Sequence, residues 1–189
     1  MLLPWTFDDV IASRTSTRSG LDRPIKSSEL EELLARCIRE DGKCVLPTTG
    51  GGRHVRLFVV CRAVSSWPMH IFSVDLTTFK RVSIRFDAVA VDEVLSEIGQ
   101  FLGTTNLPAA AILVCLDWTS FGASYEESWS RLAYVDAGGW LFGLWAIATR
   151  LGLSCCPSSG VATAQRYLPR FEANSLDVVV ALAVGGSDD

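Results

Sequence analysis

The chain has 189 residues, of which 49% are hydrophobic, including six Trp and nine Phe, and its formal net charge is −4. This length and composition predict one compact domain over residues 1–189 and argue against a disordered chain. The negative charge and the absence of a Lys/Arg cluster argue against nucleic-acid binding, which requires concentrated positive charge.

The sequence also bears on location and on metal binding. We find no run of roughly 18 uninterrupted apolar residues and no signal peptide at the N-terminus, so we expect a cytoplasmic protein with no membrane contact. Because no two cysteines form a Cys-x-x-Cys pair, we expect them to be reduced, mostly structural and without a metal. The cysteines are Cys37, Cys44, Cys61, Cys115, Cys155 and Cys156.

Helix and loop signals alternate in the first part of the chain. Thr6 to Ala12 predicts a short helix, and the polar residues 13–20 predict a loop. A second helix is expected to end near Asp41. The residues expected to cap its start are Ser27 or Ser28, with Glu31 returning the hydrogen bond.

The rest of the chain mixes strand and helix patterns at uneven spacing. In order, these patterns predict a strand from Val55 to Val60, a hairpin of 71–74 and 81–84, and a helix from Asp92 to Phe101 that is capped by Asp92. A strand from Ala109 to Leu116 follows, and then a long helix from about Tyr125 to Arg150 that Gly152 ends. The last predicted elements are a short helix around Ala162 to Tyr167 and a strand from Asp177 to Val184. This order predicts an α+β fold with helices packed over a sheet. The long apolar helix is either the buried spine of the fold or half of a subunit interface.

Two guanidinium groups and three hydroxyls fall within five successive residues. Arg14 and Arg18 can form bidentate hydrogen bonds to phosphate oxygens, and Thr15, Ser16 and Thr17 add uncharged donors. The stretch therefore has the composition of a phosphate site. Taken alone, it is more often a solvated N-terminal turn.

A glycine-rich loop, Pro47 to Gly52, precedes the first predicted strand. Three successive glycines let backbone amides approach a flat ligand closely, although a plain flexible turn fits the loop equally well. The loop has neither the G-x-G-x-x-G form of a Rossmann sheet nor the G-K-[ST] of a Walker loop. His54 follows the loop and could reach the same ligand, but a lone His more often has a supporting role.

Together these segments resemble the nitroreductase superfamily, and within it the branch of azoline dehydrogenases. Arg14-Thr15-Ser16-Thr17-Arg18 resembles the family's Arg-x-Ser-x-Arg segment, which binds the phosphate and ribityl chain of FMN. Residues 47–54, Pro-Thr-Thr-Gly-Gly-Gly-Arg-His, resemble the Pro-Ser-x-Gly-x-x-His-Pro loop that lies along the isoalloxazine ring. The segments 67–75, 132–138 and 151–160 also resemble that branch.

The resemblance implies a nitroreductase-like fold, with a mixed, mainly antiparallel sheet flanked by helices and the long central helix at the interface of a homodimer. It implies an FMN-dependent oxidoreductase with the flavin in that interface. The residues implied to bind FMN are Arg14, Thr15, Ser16 and Arg18 at the phosphate and ribityl chain, Thr48, Thr49, Gly50, Gly51 and His54 along the ring, and Pro157, Ser158, Ser159 and Gly160 in a turn beside the flavin.

Two features depart from the family pattern. In the azoline dehydrogenase branch a Lys-Tyr pair begins the long helix and is linked to azoline oxidation, whereas this chain has Ser124-Tyr125. Tyr125 remains the catalytic candidate for proton transfer, and a phenol with a pKa of about 10 is a poor base unless its phenolate is stabilised. Many relatives also have a basic residue beyond the last strand, and its absence here predicts weaker flavin binding.

Three functions follow from the resemblance. The first is dehydrogenation of an azoline or a related intermediate in natural-product biosynthesis, on a peptide substrate and with a biosynthetic partner enzyme. The second is a degenerate, non-catalytic subunit that stabilises or presents a partner enzyme, which Ser124 favours. The third is an NAD(P)H-dependent nitro or quinone reductase, which explains the fold but not the azoline-branch loop.

Overall fold

The computed structural model describes residues 6–37, 46, 54–76, 81–84, 88–120, 128–168 and 176–187. Within them, six strands form one sheet in the order β3-β2-β1-β4-β6-β5, and every neighbouring pair is antiparallel. The strands are β1 Val55–Cys61, β2 His70–Val74, β3 Arg81–Ile84, β4 Ala110–Asp117, β5 Ser154–Ser158 and β6 Leu176–Gly185. The predicted α+β fold is confirmed, as is the hairpin of β2 and β3. The strand predicted from Ala109 to Leu116 is β4, which lies in the middle of the sheet.

Helices cover both faces of this sheet. They are α1 Phe7–Ser13, α2 Ser27–Ala35, α3 Ala88–Leu102, α4 Ser128–Arg150 and α5 Ala162–Tyr167. Side chains of α2 and α4 form one hydrophobic core with the sheet, and those of α3 and α5 form the other. In β4, Ile112 and Val114 point into the first core, whereas Leu113 and Cys115 point into the second. Almost every residue of β4 is apolar because helices cover the sheet on both sides of this strand.

The longest helix, α4, packs on β4, β5 and β6. Trp140 and Leu144 are fully buried on its inner side. Gly152 lies just beyond its end with a φ of 73°, a left-handed conformation that glycine adopts at little cost, so the predicted stop is confirmed. The segment Ser130–Arg150 is long and apolar enough to span a membrane, but the core helix of a soluble protein can have the same length and composition.

The start and end of α2 differ from the prediction. Lys26 precedes the helix, and its backbone N–H donates to Glu29 Oε2 at 2.9 Å, so the cap uses neither serine nor Glu31. The helix ends at Ala35 and not near residue 41. The start follows from the tertiary structure, because Ile25 forms a parallel bridge with Val64 that keeps the chain extended up to that point.

The start of α3 was also predicted too late. The helix begins at Ala88, so Asp92 lies within it instead of capping it. The additional turn contributes Ala90 and Val91 to the core beneath the sheet, which explains why the helix extends over those residues. Asp92 Oδ1 instead lies 3.3 Å from Arg62 Nε.

Candidate functional site

The predicted phosphate segment lies beside the edge strand of the sheet. Thr17 donates its backbone N–H to the Cys155 carbonyl of β5 at 3.0 Å. A little further along, the chain crosses β6 so closely that a Cβ on Gly185 would lie 2.0 Å from the Gly20 carbonyl oxygen. The first predicted site segment therefore contacts β5 at Cys155, two residues before the predicted turn at 157–160.

Arg14 is the residue of this segment that reaches α4. Its Cζ lies 4.1 Å from the centre of the Trp145 ring and 5.4 Å from that of Phe142. Arg14 Nε and Trp145 Nε1 are both buried, and neither has a hydrogen-bond partner in the described part of the chain. Both N–H groups can donate a hydrogen bond to an acceptor such as a phosphate oxygen. Arg14 and Trp145 therefore fit the anionic end of FMN.

Arg18 faces another part of the surface. With 19–22 and 103–106 it lines an open groove of about 410 Å³ between the N-terminal segment and the loop that joins α3 to β4. Asn106 Nδ2 donates to Asp22 Oδ2 at 2.7 Å and links the two walls. The two arginines therefore contact different elements, with the exposed Thr15 and Ser16 between them.

The predicted turn at 157–160 is the end of an edge strand. Pro157 pairs with Leu182 of β6, and an edge strand tolerates a proline because its outer side does not require the missing N–H. Ser158 Oγ accepts the backbone N–H of Gly160 at 3.1 Å, so this amide is already used within the turn. Ser158 and Gly160 are buried, whereas Ser159 is exposed and can meet a ligand.

His54 is buried, with 2% of its surface exposed. Its Nε2 lies 2.9 Å from Asp136 Oδ2 on α4, and the carboxylate is buried as well. On the other side of the glycine-rich loop, Leu46 packs so closely on α4 that a Cβ on Gly143 would lie 2.1 Å from its Cδ2. The residues that flank the loop on both sides thus contact the long helix.

Several predicted site residues lie outside the described part of the chain, so their positions remain predictions. They are Thr48, Thr49, Gly50 and Gly51 of the glycine-rich loop, together with Ser124 and the catalytic candidate Tyr125.

Three residues that shape this region are absent from the sequence-based predictions of the site. Trp145 supports Arg14, Asp136 binds His54, and Glu97 Oε2 accepts the backbone N–H of Thr163 at 2.6 Å at the start of α5. Only Asp136 has a signal in the sequence, because a carboxylate inside an apolar helix needs a partner. The sequence pattern of α4 does not distinguish Trp145 from Trp140, which is a core residue.

These elements define the class of the protein, an α+β protein with the nitroreductase arrangement of sheet and helices. A chain of the E. coli microcin synthetase McbBCD complex with truncated pro-MccB17 bound has a TM-score of 0.76 at 13% identity, over 93% of this chain and 70% of that chain. A protein from Ralstonia eutropha JMP134, assigned as a nitroreductase, has a TM-score of 0.78 at 13% identity, over 100% and 86%. These likenesses show the fold.

A third structure, of a protein from Anabaena variabilis ATCC 29413 assigned as a nitroreductase, has a TM-score of 0.75 at 19% identity, over 98% of this chain and 40% of that chain. No curated protein matches the chain by sequence. The model of the nitroreductase family, however, matches residues 11–186, and the chain belongs to this family. Membership supports oxidoreductase activity, and proteins of the family typically use a flavin.

Proposed function

We propose that the chain is an FMN-dependent oxidoreductase of the cytoplasm, and more narrowly a dehydrogenase of azoline heterocycles or a related intermediate in natural-product biosynthesis. The observation that carries the proposal is the position of Arg14, which stacks on Trp145 of α4 while Thr17, three residues later, is bonded to β5. The N-terminal segment 14–18 and the strand β5 thus lie together beside the long helix. A flavin site built from the family motifs needs these two parts of the chain to be neighbours.

In this proposal the phosphate and ribityl chain bind Arg14, Thr15, Ser16 and Arg18. The ring lies against residues 48–51 and the exposed backbone at Ser159, while His54 holds the loop to α4 through Asp136. Pro157, Ser158 and Gly160 form the turn that presents Ser159.

When bound, FMN supplies the hydride acceptor at its N5. Azoline oxidation removes a hydride from one ring carbon and a proton from its neighbour, and the product ring is aromatic. We assign the proton to the phenolate oxygen of Tyr125, which requires a nearby donor to lower its pKa. The peptide that carries the azoline would be delivered by a partner enzyme.

The exposed side of α4 supports a homodimer. Leu132, Val135 and Phe142 are 40%, 68% and 38% exposed. Val135 and Phe142 lie on the side of the helix opposite the buried Trp140, and Leu132 lies at the edge of the exposed side. Such an apolar stripe favours a protein partner over water. Arg14 lies beside Phe142, so the proposed phosphate site adjoins the proposed interface.

Purified protein tests this proposal. We expect flavin absorbance, FMN released by heating in equimolar amount, and loss of the flavin absorbance when a peptide that contains an azoline is added without oxygen. Tyr125→Phe should slow that loss without lowering the flavin content. Protein that neither retains FMN nor takes it up when it is added contradicts the proposal.

Ser124, in place of the branch's Lys, favours a second candidate, a non-catalytic subunit that binds a biosynthetic partner. A protein that binds FMN and is not reduced by any azoline peptide would support this role. If Ser124→Lys then gains azoline-dependent reduction, the missing Lys is the cause. Rapid reduction by NAD(P)H alone would instead support the nitro or quinone reductase.

A further inference from the structure

We infer that Trp145 is a positioning residue for the phosphate end of the cofactor, an inference that rests on the proposed function and deepens it. The ring of Trp145 lies beneath the guanidinium of Arg14, with 4.1 Å between Cζ and the ring centre. This separation is well inside the roughly 6 Å over which a cation is attracted to an aromatic face. Tryptophan is the side chain that provides the strongest such attraction.

The contact fixes how Arg14 presents its donors. The Arg14 side chain as a whole is only half-buried, so an anion can reach its terminal Nη fork. A free arginine loses much rotamer freedom when it binds a ligand, and a guanidinium already held flat on a ring loses less. Trp145 thereby raises the affinity of Arg14 for an anion.

The chemistry of the pair selects the type of anion. A guanidinium fork binds two oxygens of one group at once, and the indole Nε1 is a further, uncharged donor that has no partner among the described residues. A phosphate monoester offers several such oxygens on one atom. The site should therefore distinguish FMN from riboflavin, which has the same ring and ribityl chain but no phosphate.

Trp140 provides the matched control. It lies on the same helix and its Nε1 is also buried without a partner in the described part of the chain, but its side chain is fully buried in the core between α4 and the sheet. A substitution of Trp140 therefore affects packing without touching the face that holds Arg14.

The test is a fluorescence titration of FMN and of riboflavin into wild type, Trp145→Leu, Trp145→Phe and Trp140→Phe, with thermal melts to confirm folding. Wild type should bind FMN more tightly than riboflavin. In Trp145→Leu the ratio of the riboflavin Kd to the FMN Kd should fall about tenfold, equivalent to about 1.4 kcal/mol, while the affinity for riboflavin stays unchanged. Trp145→Phe, which keeps a ring face, should lose less, and Trp140→Phe should keep the full preference.

A full preference for FMN in folded Trp145→Leu overturns the inference and leaves the proposed function intact. If Trp145→Leu does not fold, an unchanged preference in Trp145→Phe, which also lacks the indole N–H, overturns it. Wild type that binds neither flavin overturns the proposed function itself.

Discussion

The imidazole of His54 and the carboxylate of Asp136 meet in the interior, with 2.9 Å between Nε2 and Oδ2 across 82 residues of sequence. This contact joins the residue that follows the glycine-rich loop to the middle of α4. It therefore fixes the start of β1 relative to the helix on which Arg14 rests.

Loss of this contact should destabilise the fold. We expect Asp136→Ala to lower the free energy of unfolding by about 1 to 3 kcal/mol, because His54 loses a buried hydrogen bond. Asp136→Asn should cost less, since an amide can still form a hydrogen bond. Urea unfolding followed by tryptophan fluorescence measures both changes.

The control is Asp177→Ala, which removes a carboxylate at the surface that accepts from the hydroxyl of the exposed Tyr134 at 2.8 Å. Exposed contacts contribute roughly 0 to 1 kcal/mol. If Asp136→Ala and Asp177→Ala lower the free energy of unfolding equally, the buried contact of His54 and Asp136 contributes no more than a contact at the surface.

A charge placed on the apolar stripe of α4 should separate the proposed dimer. Val135 is 68% exposed, so Val135→Asp should fold normally and sediment as a monomer in analytical ultracentrifugation, whereas we expect wild type to sediment as a dimer. Val89→Asp is the matched control, because Val89 is 62% exposed on α3, on the other face of the sheet. A monomeric wild type, or a dimer that persists in Val135→Asp, contradicts this assignment of the interface.

The thiol of Cys155 should make stability depend on pH in the alkaline range. Burial raises the pKa of this thiol from its ordinary value of 9.0 to about 11. The unfolded chain therefore ionises at a lower pH than the folded one, and the contribution to stability is complete below pH 9 and lost as the pH rises through 11.

We expect the difference in Tm between wild type and Cys155→Ala to shrink steadily over this range. Differential scanning calorimetry at a series of pH values measures it. Parallel Tm curves for the two proteins would show that Cys155 does not cause the alkaline loss.

The close crossing of the N-terminal segment over β6 should not tolerate a side chain. A Cβ on Gly185 would lie 2.0 Å from a backbone oxygen, which cannot rotate away, so we expect Gly185→Ala to cost at least about 2 kcal/mol in chemical denaturation. The neighbouring Ser187→Ala loses one hydrogen bond to Glu29 and should cost less than about 1 kcal/mol. A Gly185→Ala protein as stable as wild type would contradict this packing.

Elements with a strong local pattern could be predicted from the sequence. The strand β4 was predicted to within one residue at each end because an apolar run defines it, and a short helix was predicted around Ala162–Tyr167, where α5 lies. Features set by distant partners could not be predicted. The start of α2 depends on the bridge between Ile25 and Val64, and β5 is a strand only because β6 lies beside it.

The same limit applies to the candidate site. The alternation of Arg14 and Arg18 does not reveal that Arg14 packs on α4, whereas Arg18 lines the groove beside residues 103–106. The support that Arg14 receives from Trp145 spans most of the chain, and no local pattern encodes such a contact.

The central claim is that the segment 14–18 binds the phosphate of FMN, and the most direct measurement is the Kd of FMN for Arg14→Ala combined with Arg18→Ala. The control is Arg36→Ala combined with Arg166→Ala, which removes the same charge just beyond α2 and within α5. We predict that the first pair weakens FMN binding by at least about a hundredfold, or about 2.7 kcal/mol, while the control pair leaves it within a few fold. Equal FMN affinity in the two double variants would contradict the claim.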